Sequence, residues 1–243
     1  MELNRQKRLL DIQTVTNTRE LGGYKTKDGK NTRVKCYVRS ASPSTISKED
    51  IDYLYNYGIR AQIDLRSEYE SNHAPSGLKD YKDIAYYHID LFDGANMIDI
   101  PNALDSYDDL SDIYIYIIEE CKEKIKEVFL TLLKHKKDTV FFNCSAGKDR
   151  TGVISSLLLG LVGCSDEDII QDYSESYENN QPIINELKKT VNEERKDFLY
   201  SEPEYMVKFL RYLKEIYGSI RELLLQCGLT TDQLDEIISH FKE

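Results

Sequence analysis

Apolar residues follow two rhythms along this chain. The runs 33–41 (RVKCYVRSA), 59–66 (IRAQIDLR), 85–92 (AYYHIDLF) and 139–143 (TVFFN) are short and rich in β-branched and aromatic residues, which predicts buried strands. Elsewhere the spacing is helical. The segment 47–58 reads SKEDIDYLYNYG, with Ser47 three residues before Asp50 in a capping-box pattern. Over 112–136 the apolar groups Ile113, Ile117, Ile118, Ile125, Val128, Phe129, Leu132 and Leu133 recur at three- and four-residue intervals, predicting one or two amphipathic helices. The run 151–163 (TGVISSLLLGLVG) reads as a buried helix, and helical patterns then cover 166–177, 182–198, 203–227 and 231–242. Helices alternate with strands early and dominate late. That order predicts an α/β fold with a central, mostly parallel sheet flanked by helices and a helical carboxyl-terminal part. No repeat or low-complexity linker interrupts the chain, so residues 1–243 read as one domain.

Composition narrows the partners. The 243 residues carry a net charge of −11, which sets the surface against nucleic acid and anionic membranes. An anionic substrate must therefore be drawn in by a local site. The start, MELNRQKRLLDIQTV, lacks the apolar core of a signal peptide, and no apolar run is long enough to span a bilayer. The expectation is a cytoplasmic protein, or one exported without a signal peptide, with no stable membrane insertion. The five cysteines (36, 121, 144, 164 and 227) form no Cys-x-x-Cys pair and read as reduced thiols. Four of them read as small core residues. The histidines (73, 88, 135 and 240) show no metal-ligand spacing, and YDDLSD (107–112) lacks the glycine and terminal glutamate of a calcium loop. No metal or cofactor is expected.

Cys144 stands in unusual surroundings. The stretch 140–152 reads VFFNCSAGKDRTG, an apolar strand followed by small residues, a charged triplet and a buried helix. A nucleotide-binding phosphate loop would need glycine where Phe142 stands and Ser or Thr where Asp149 stands, so that reading fails. Cys-x5-Arg, formed by Cys144 and Arg150, suits a phosphate dianion instead. A tight loop between strand and helix can turn successive N–H groups inward, and the helix adds its positive end. Arg150 can grip two phosphate oxygens, as a lysine could not. The same field favours the thiolate of Cys144, the nucleophilic form. Ser145, Ala146 and Gly147 form the loop, the last two leaving room for close backbone approach. Thr151 is placed to hydrogen-bond the sulfur.

CSAGKDRTG closely resembles the active-site loop of the bacterial tyrosine-type phosphatases that read HCxAGKDRTG, the branch including mycobacterial and listerial secreted phosphatases. The likeness extends to NTRELGGY (17–24), YVRSASPS (37–44), GIRAQIDLRSEYE (58–70), DIIQDYSES (168–176) and the closing segment 205–230, and so covers nearly the whole chain. It implies a phosphomonoesterase working through a cysteinyl-phosphate. Cys144 would attack phosphorus, Arg150 would hold the equatorial oxygens, and Lys148 would add positive charge at the mouth. Asp149 would orient the loop, Lys148 or the water. The polar helices of 176–202 would, in such a family, either cover the pocket as a lid or pack elsewhere. One position departs from the pattern: Asn143 stands where the family usually has histidine. An asparagine can hydrogen-bond loop carbonyls but brings no charge.

A leaving alkoxide or phenoxide needs a proton. Asp64, in the Asp-Leu-Arg-Ser segment, reads as a structural partner of Arg66. Asp93, on the polar loop after the strand 85–92, is the preferred general acid, on the expectation that its strand neighbours the one before Cys144. The substrate expected is a phosphotyrosine protein. A phosphoinositide or dual-specificity phosphatase would use the same chemistry, and a non-catalytic phosphate-binding module the same loop.

Overall fold

A computed structural model describes residues 4–92, 109–189, 196 and 198–243. The four expected strands form at Tyr37–Ser40 (β2), Ile59–Asp64 (β3), Ala85–His88 (β4) and Thr139–Asn143 (β5), joined by a short strand at Arg19–Glu20 (β1). The sheet order is β1-β2-β5-β3-β4, with β1 antiparallel to β2 and every other pairing parallel. TVFFN is buried at all five positions, as its central place between β2 and β3 requires. The run 85–92 is cut short at His88. Ile89 N–H still donates to Asp64 O, but the Asp90 side chain accepts from Phe92 N–H at 3.0 Å and turns the chain away. Contrary to expectation, β4 lies at the sheet edge and meets β3, not the strand that precedes Cys144.

Alternation along the strands divides the core. Phe141 and Ile59 face one side with Val38, covered by Ile51 and Leu54 of α1 (Lys48–Tyr57). Val140, Phe142, Ala61 and Ile63 face the other, larger side. Ser47 caps α1 through Asp50 N–H, as its spacing predicts. The reciprocal half of the box is absent, because the Asp50 carboxylate is taken by Gln13 N–H and Thr14. A short helix, α2 (Glu68–His73), follows β3. The pattern over 112–136 resolves into α3 (Leu110–Glu120) and α4 (Lys122–Lys134), which meet at Cys121. After β5 comes α5 (Asp149–Leu161), buried on nearly all sides, as its unbroken apolar run demands.

Beyond a single turn at Arg5–Arg8, the further helices among the described residues are α6 (Asp166–Asn179), α7 (Gln181–Leu187), α8 (Pro203–Tyr217), α9 (Ile220–Gln226) and α10 (Thr231–Phe241). The single helix expected over 203–227 is broken where Gly218 adopts φ 76° and Ser219 caps the next turn through Glu222 N–H. α8 packs on α3 and α6, closing the larger core. Among the described residues, no helix is long and apolar enough to cross a membrane.

A buried ion cluster joins the amino-terminal segment to α6. Asp172 accepts from Arg19 Nε at 3.2 Å, from Tyr24 OH at 3.1 Å and from Arg39 Nη1. Arg19 and Arg39 are fully buried, so this carboxylate balances two guanidinium groups that water cannot reach. Burial opposes its charge, but Arg39, Arg19 and Arg8 outweigh that and hold its carboxyl below the usual range. A depressed carboxyl stabilises the fold above its unfolded pKa and loses that contribution as pH falls. Asp172→Asn should therefore cost about 3–5 kcal/mol in urea unfolding near neutral pH, the cost of stranding a buried charge. The difference from wild type should narrow as the pH is lowered below the ordinary aspartate range.

Candidate active site

The segment 144–148 leaves the carboxyl end of β5 and enters α5 at Asp149. Each carbonyl from Cys144 to Gly147 is held by a donor from elsewhere. Cys144 O accepts from Asn143 Nδ2 at 3.2 Å, and Ser145 O from Ser42 N–H at 3.0 Å. Ala146 O accepts from Asn17 and Asn180, each at 2.9 Å. Gly147 O accepts from Asn17 at 3.0 Å and from Arg39 Nη2 at 2.7 Å. A planar trans peptide points its N–H opposite to its C=O. Fixing four successive carbonyls therefore turns the N–H groups of Ser145, Ala146, Gly147 and Lys148 the other way. Among the described residues, none of these N–H groups donates to another group. With the first turn of α5 behind them they make a cradle for an anion.

Two local features set the loop's path. Gly147 has φ 64°, and a Cβ there would lie 2.3 Å from Ser40 O and 2.6 Å from Ala41 N. The missing side chain thus makes room for the end of β2, rather than for the ligand as expected. Asn17 adopts φ 59°, a left-handed conformation that asparagine tolerates. Its carbonyl accepts from Arg19 Nη1 at 3.2 Å, and its amide reaches the loop. The ion cluster and the cradle are therefore one connected structure.

Cys144 begins the loop and is 2% exposed; the Arg150 guanidinium closes it from the first turn of α5. Arg150 is locked by Glu70, a residue that single-sequence reasoning did not assign to the site. Nη1 donates to Glu70 Oε2 at 2.6 Å and Nη2 to Oε1 at 2.9 Å. This bidentate pair uses two of the five guanidinium N–H groups, and Nη2 also donates to Ser145 Oγ; among the described residues Nε–H has no acceptor. Arg150 also lies 5.1 Å from the Phe92 ring centroid and 3.4 Å, through Nη2, from Ser145 Oγ. Glu70 is positioned by a complete capping box. Its carboxylate accepts from Ser67 N–H, and Ser67 Oγ accepts from Glu70 N–H. The Ser-x-x-Glu spacing after β3 is the signal that could have found it. Burial opposes the charge on Glu70, but the hydrogen bonds and charge of Arg150 lower its carboxyl to about 2.

A model of the tyrosine phosphatase family matches residues 10–243. The chain belongs to the tyrosine phosphatase family. A tyrosine-protein phosphatase of Nostoc commune is 32% identical over 149 residues, 60% of this chain and 50% of that protein. A protein of Cupriavidus necator to which the same activity is ascribed is 27% identical over 176 residues, 70% of this chain and 64% of that one. The chain thus spans half the length of one relative and just under two-thirds of the other. Among solved structures, P. aeruginosa TpbA is similar at a TM-score of 0.43 and 9% identity, over 82% of this chain and 91% of that one. At that distance the likeness decides nothing about fold or reaction.

In this tyrosine phosphatase family member, the other expected residues fall as follows. Lys148 does not stand free at the mouth. Its Nζ is turned inward and donates to Phe198 O at 2.6 Å and Tyr200 O at 3.0 Å, with Asp149 Oδ1 at 3.5 Å. A buried ammonium needs such partners, and these bind both the loop and the segment after α7. Asp149 accepts from Tyr114 OH at 2.6 Å, and Tyr114 OH meets Tyr173 OH at 2.6 Å. Thr151 does not bond the sulfur: its Oγ1 is buried within the first turn of α5 and makes no hydrogen bond among the described residues. Asp64 pairs with Arg66 as expected, at 2.9 and 2.6 Å, and also accepts from Tyr86 OH. Asp93 lies outside the described residues. Phe92, the residue before it, nevertheless reaches Arg150. Cys36, Cys164 and Cys227 are pushed up to about 12 by burial, as core thiols should be. Among the described residues, no group of three His, Cys, Asp or Glu side chains is placed to hold a metal ion.

Glu70→Gln should leave Arg150 buried but loosely held, lowering kcat/KM on an aryl phosphate by about 10–100-fold, the effect of a lost charge-assisted pair. It should also cost about 1–3 kcal/mol of stability. A depressed carboxyl stabilises above its unfolded pKa, so urea unfolding should show the full difference above the ordinary glutamate range. That difference should fade as pH falls towards 2.

Proposed function

We propose that this protein is a phosphomonoesterase that hydrolyses phosphotyrosine through a cysteinyl-phosphate intermediate. The observation that carries the reading is the cradle itself: four consecutive loop carbonyls tied outward, with Cys144 at one end and Arg150 at the other. Family membership supports the same chemistry. A phosphoryl dianion in the cradle would accept from the N–H groups of residues 145–148 and from the free edge of Arg150. Cys144 thiolate would attack phosphorus in line as the ester oxygen departs, and water would then hydrolyse the thiophosphate. The guanidinium, the N–H groups and the helix end supply the positive charge this transfer needs, so no metal or cofactor is invoked.

Phosphotyrosine is favoured over phosphoinositides by the position of Lys148. Its ammonium is engaged with two backbone carbonyls and Asp149, so the extra cation that would suit a multiply phosphorylated headgroup is turned away from the mouth. Asp93 is the proposed general acid, because the chain that carries it reaches Arg150 through Phe92. Asp149, held by Tyr114 and Lys148, is suited instead to organising the loop.

Phosphotyrosine peptide, phosphoserine peptide and soluble phosphoinositides, offered side by side to one preparation, should rank with phosphotyrosine first; a faster phosphoinositide would reassign the substrate. Turnover of p-nitrophenyl phosphate should be unchanged by chelator. Cys144→Ser should abolish turnover yet still bind phosphate, because a serine hydroxyl is not ionised near neutral pH. Arg150→Lys should lose both rate and affinity.

The proton donor has its own signature. A general acid contributes about 10²–10⁴-fold, and more for poor leaving groups. Asp93→Asn should slow phosphotyrosine severely and activated aryl phosphates much less, and should flatten the basic limb of the pH–rate profile. Asp149→Asn should depress good and poor leaving groups alike. The reverse pattern in the two variants would exchange their roles.

A further inference from the structure

On the face of the sheet that carries Phe141, three strand-end residues are polar and buried: Gln62 and Asp64 of β3, and Asn143 of β5. Two fully buried amides in a sheet are costly unless every hydrogen bond is made. Here they form a chain with one direction. Leu78 N–H donates to Ser76 Oγ at 3.1 Å, and Ser76 Oγ donates to Gln62 Oε1 at 2.8 Å. Gln62 thereby presents its Nε2 to Asn143 Oδ1 at 2.7 Å. Asn143 must then present Nδ2, which reaches Cys144 O at 3.2 Å and Asp64 Oδ1 at 3.4 Å. The polarity is fixed at the Asn143 end by the Cys144 carbonyl and the Asp64 carboxylate, which can only accept. Turning Asn143 over would set its oxygen against the Cys144 and Asp64 oxygens and its NH2 against that of Gln62.

We propose that Gln62 and Ser76 are positioning residues for Cys144, acting through Asn143 to fix the first peptide of the loop. Asn143 Nδ2 holds the Cys144 carbonyl outward, and the planarity of the peptide then aims Ser145 N–H into the cradle. This N–H belongs to the residue after the nucleophile, where a donor stabilises both the thiolate and the bound anion. A neutral amide in an oriented chain thus does what a charged imidazole before the nucleophile would otherwise do. The assignment rests on the reading of Cys144 as an ionised nucleophile.

The test is carboxymethylation by iodoacetate over a pH series, read at Cys144 by peptide mass, beside p-nitrophenyl phosphate turnover. Gln62→Leu, Asn143→Ala and the double variant are compared with wild type, with circular dichroism to establish folding. Gln62→Leu should move the alkylation profile to higher pH, with the rate at mildly acidic pH falling about tenfold, the scale of one lost hydrogen bond. Rates at alkaline pH should converge with wild type. In the Asn143→Ala background, Gln62→Leu should add no further shift, as expected for two residues acting as a unit. A folded Gln62→Leu with an unchanged profile, or an equal second shift in the double variant, would overturn the proposal. Should Gln62→Leu fail to fold, Ser76→Ala, which removes a single oxygen, is read by the same outcomes. A wild type that hydrolyses nothing but shows these shifts sinks the phosphatase reading and leaves the chain of amides standing. Turnover with no shift sinks the chain alone.

Discussion

The outward restraint of four carbonyls organises everything around residue 144. A loop of small residues has no intrinsic reason to hold successive N–H groups on one side, because like dipoles repel and flexible backbone costs entropy to fix. Here the cost is met by donors from three separate regions, Asn17, the segment holding Arg39 and Ser42, and Asn180, with Asn143 from the strand itself. Each lies distant in sequence or on a rigid element. Such a site needs little rearrangement when an anion arrives, which is the condition under which fixed dipoles contribute most to catalysis.

The same restraint explains why the segments read from the sequence as resembling one family are short and scattered. NTRELGGY supplies Asn17, Arg19 and Tyr24; YVRSASPS supplies Arg39 and Ser42; DIIQDYSES supplies Asp172 and Ser176. Around Asp172 these become one cluster, with Arg39 touching both that carboxylate and Gly147 O. The segments are far apart in the chain because the loop is held from several sides at once.

Much of the architecture was legible because burial imposes a period. TVFFN reads as a buried strand and TGVISSLLLGLVG as a buried helix, and both form as read. That Cys144 and Arg150 share one strand-to-helix turn was legible because the apolar strand and the buried helix bracket them in the sequence. What remained hidden depends on single residues meeting across the fold. Glu70 carries a local capping signal, but nothing local says that its carboxylate also meets Arg150. The bond between Gln62 and Asn143 follows from strand register, which a lone sequence does not specify. Lys148 was misplaced for a related reason: the carbonyls that receive it come from residues 198 and 200, half a hundred positions away. The edge position of β4 likewise turns on strand order, which alternation cannot reveal.

A cradle built from main-chain N–H groups and one locked guanidinium measures shape and charge, not chemical identity. Gly147, wedged against the end of β2, cannot relax to suit one ligand over another. On the proposed reading, a tetrahedral oxyanion of phosphate size such as tungstate should satisfy the same donors. Under the proposed reaction, selectivity among esters falls to the rim, where Phe92 lies beside Arg150 and Tyr200 O receives Lys148. For inhibitor chemistry, the head of a ligand supplies grip alone, and discrimination from other members of the family must be sought in what the rim touches.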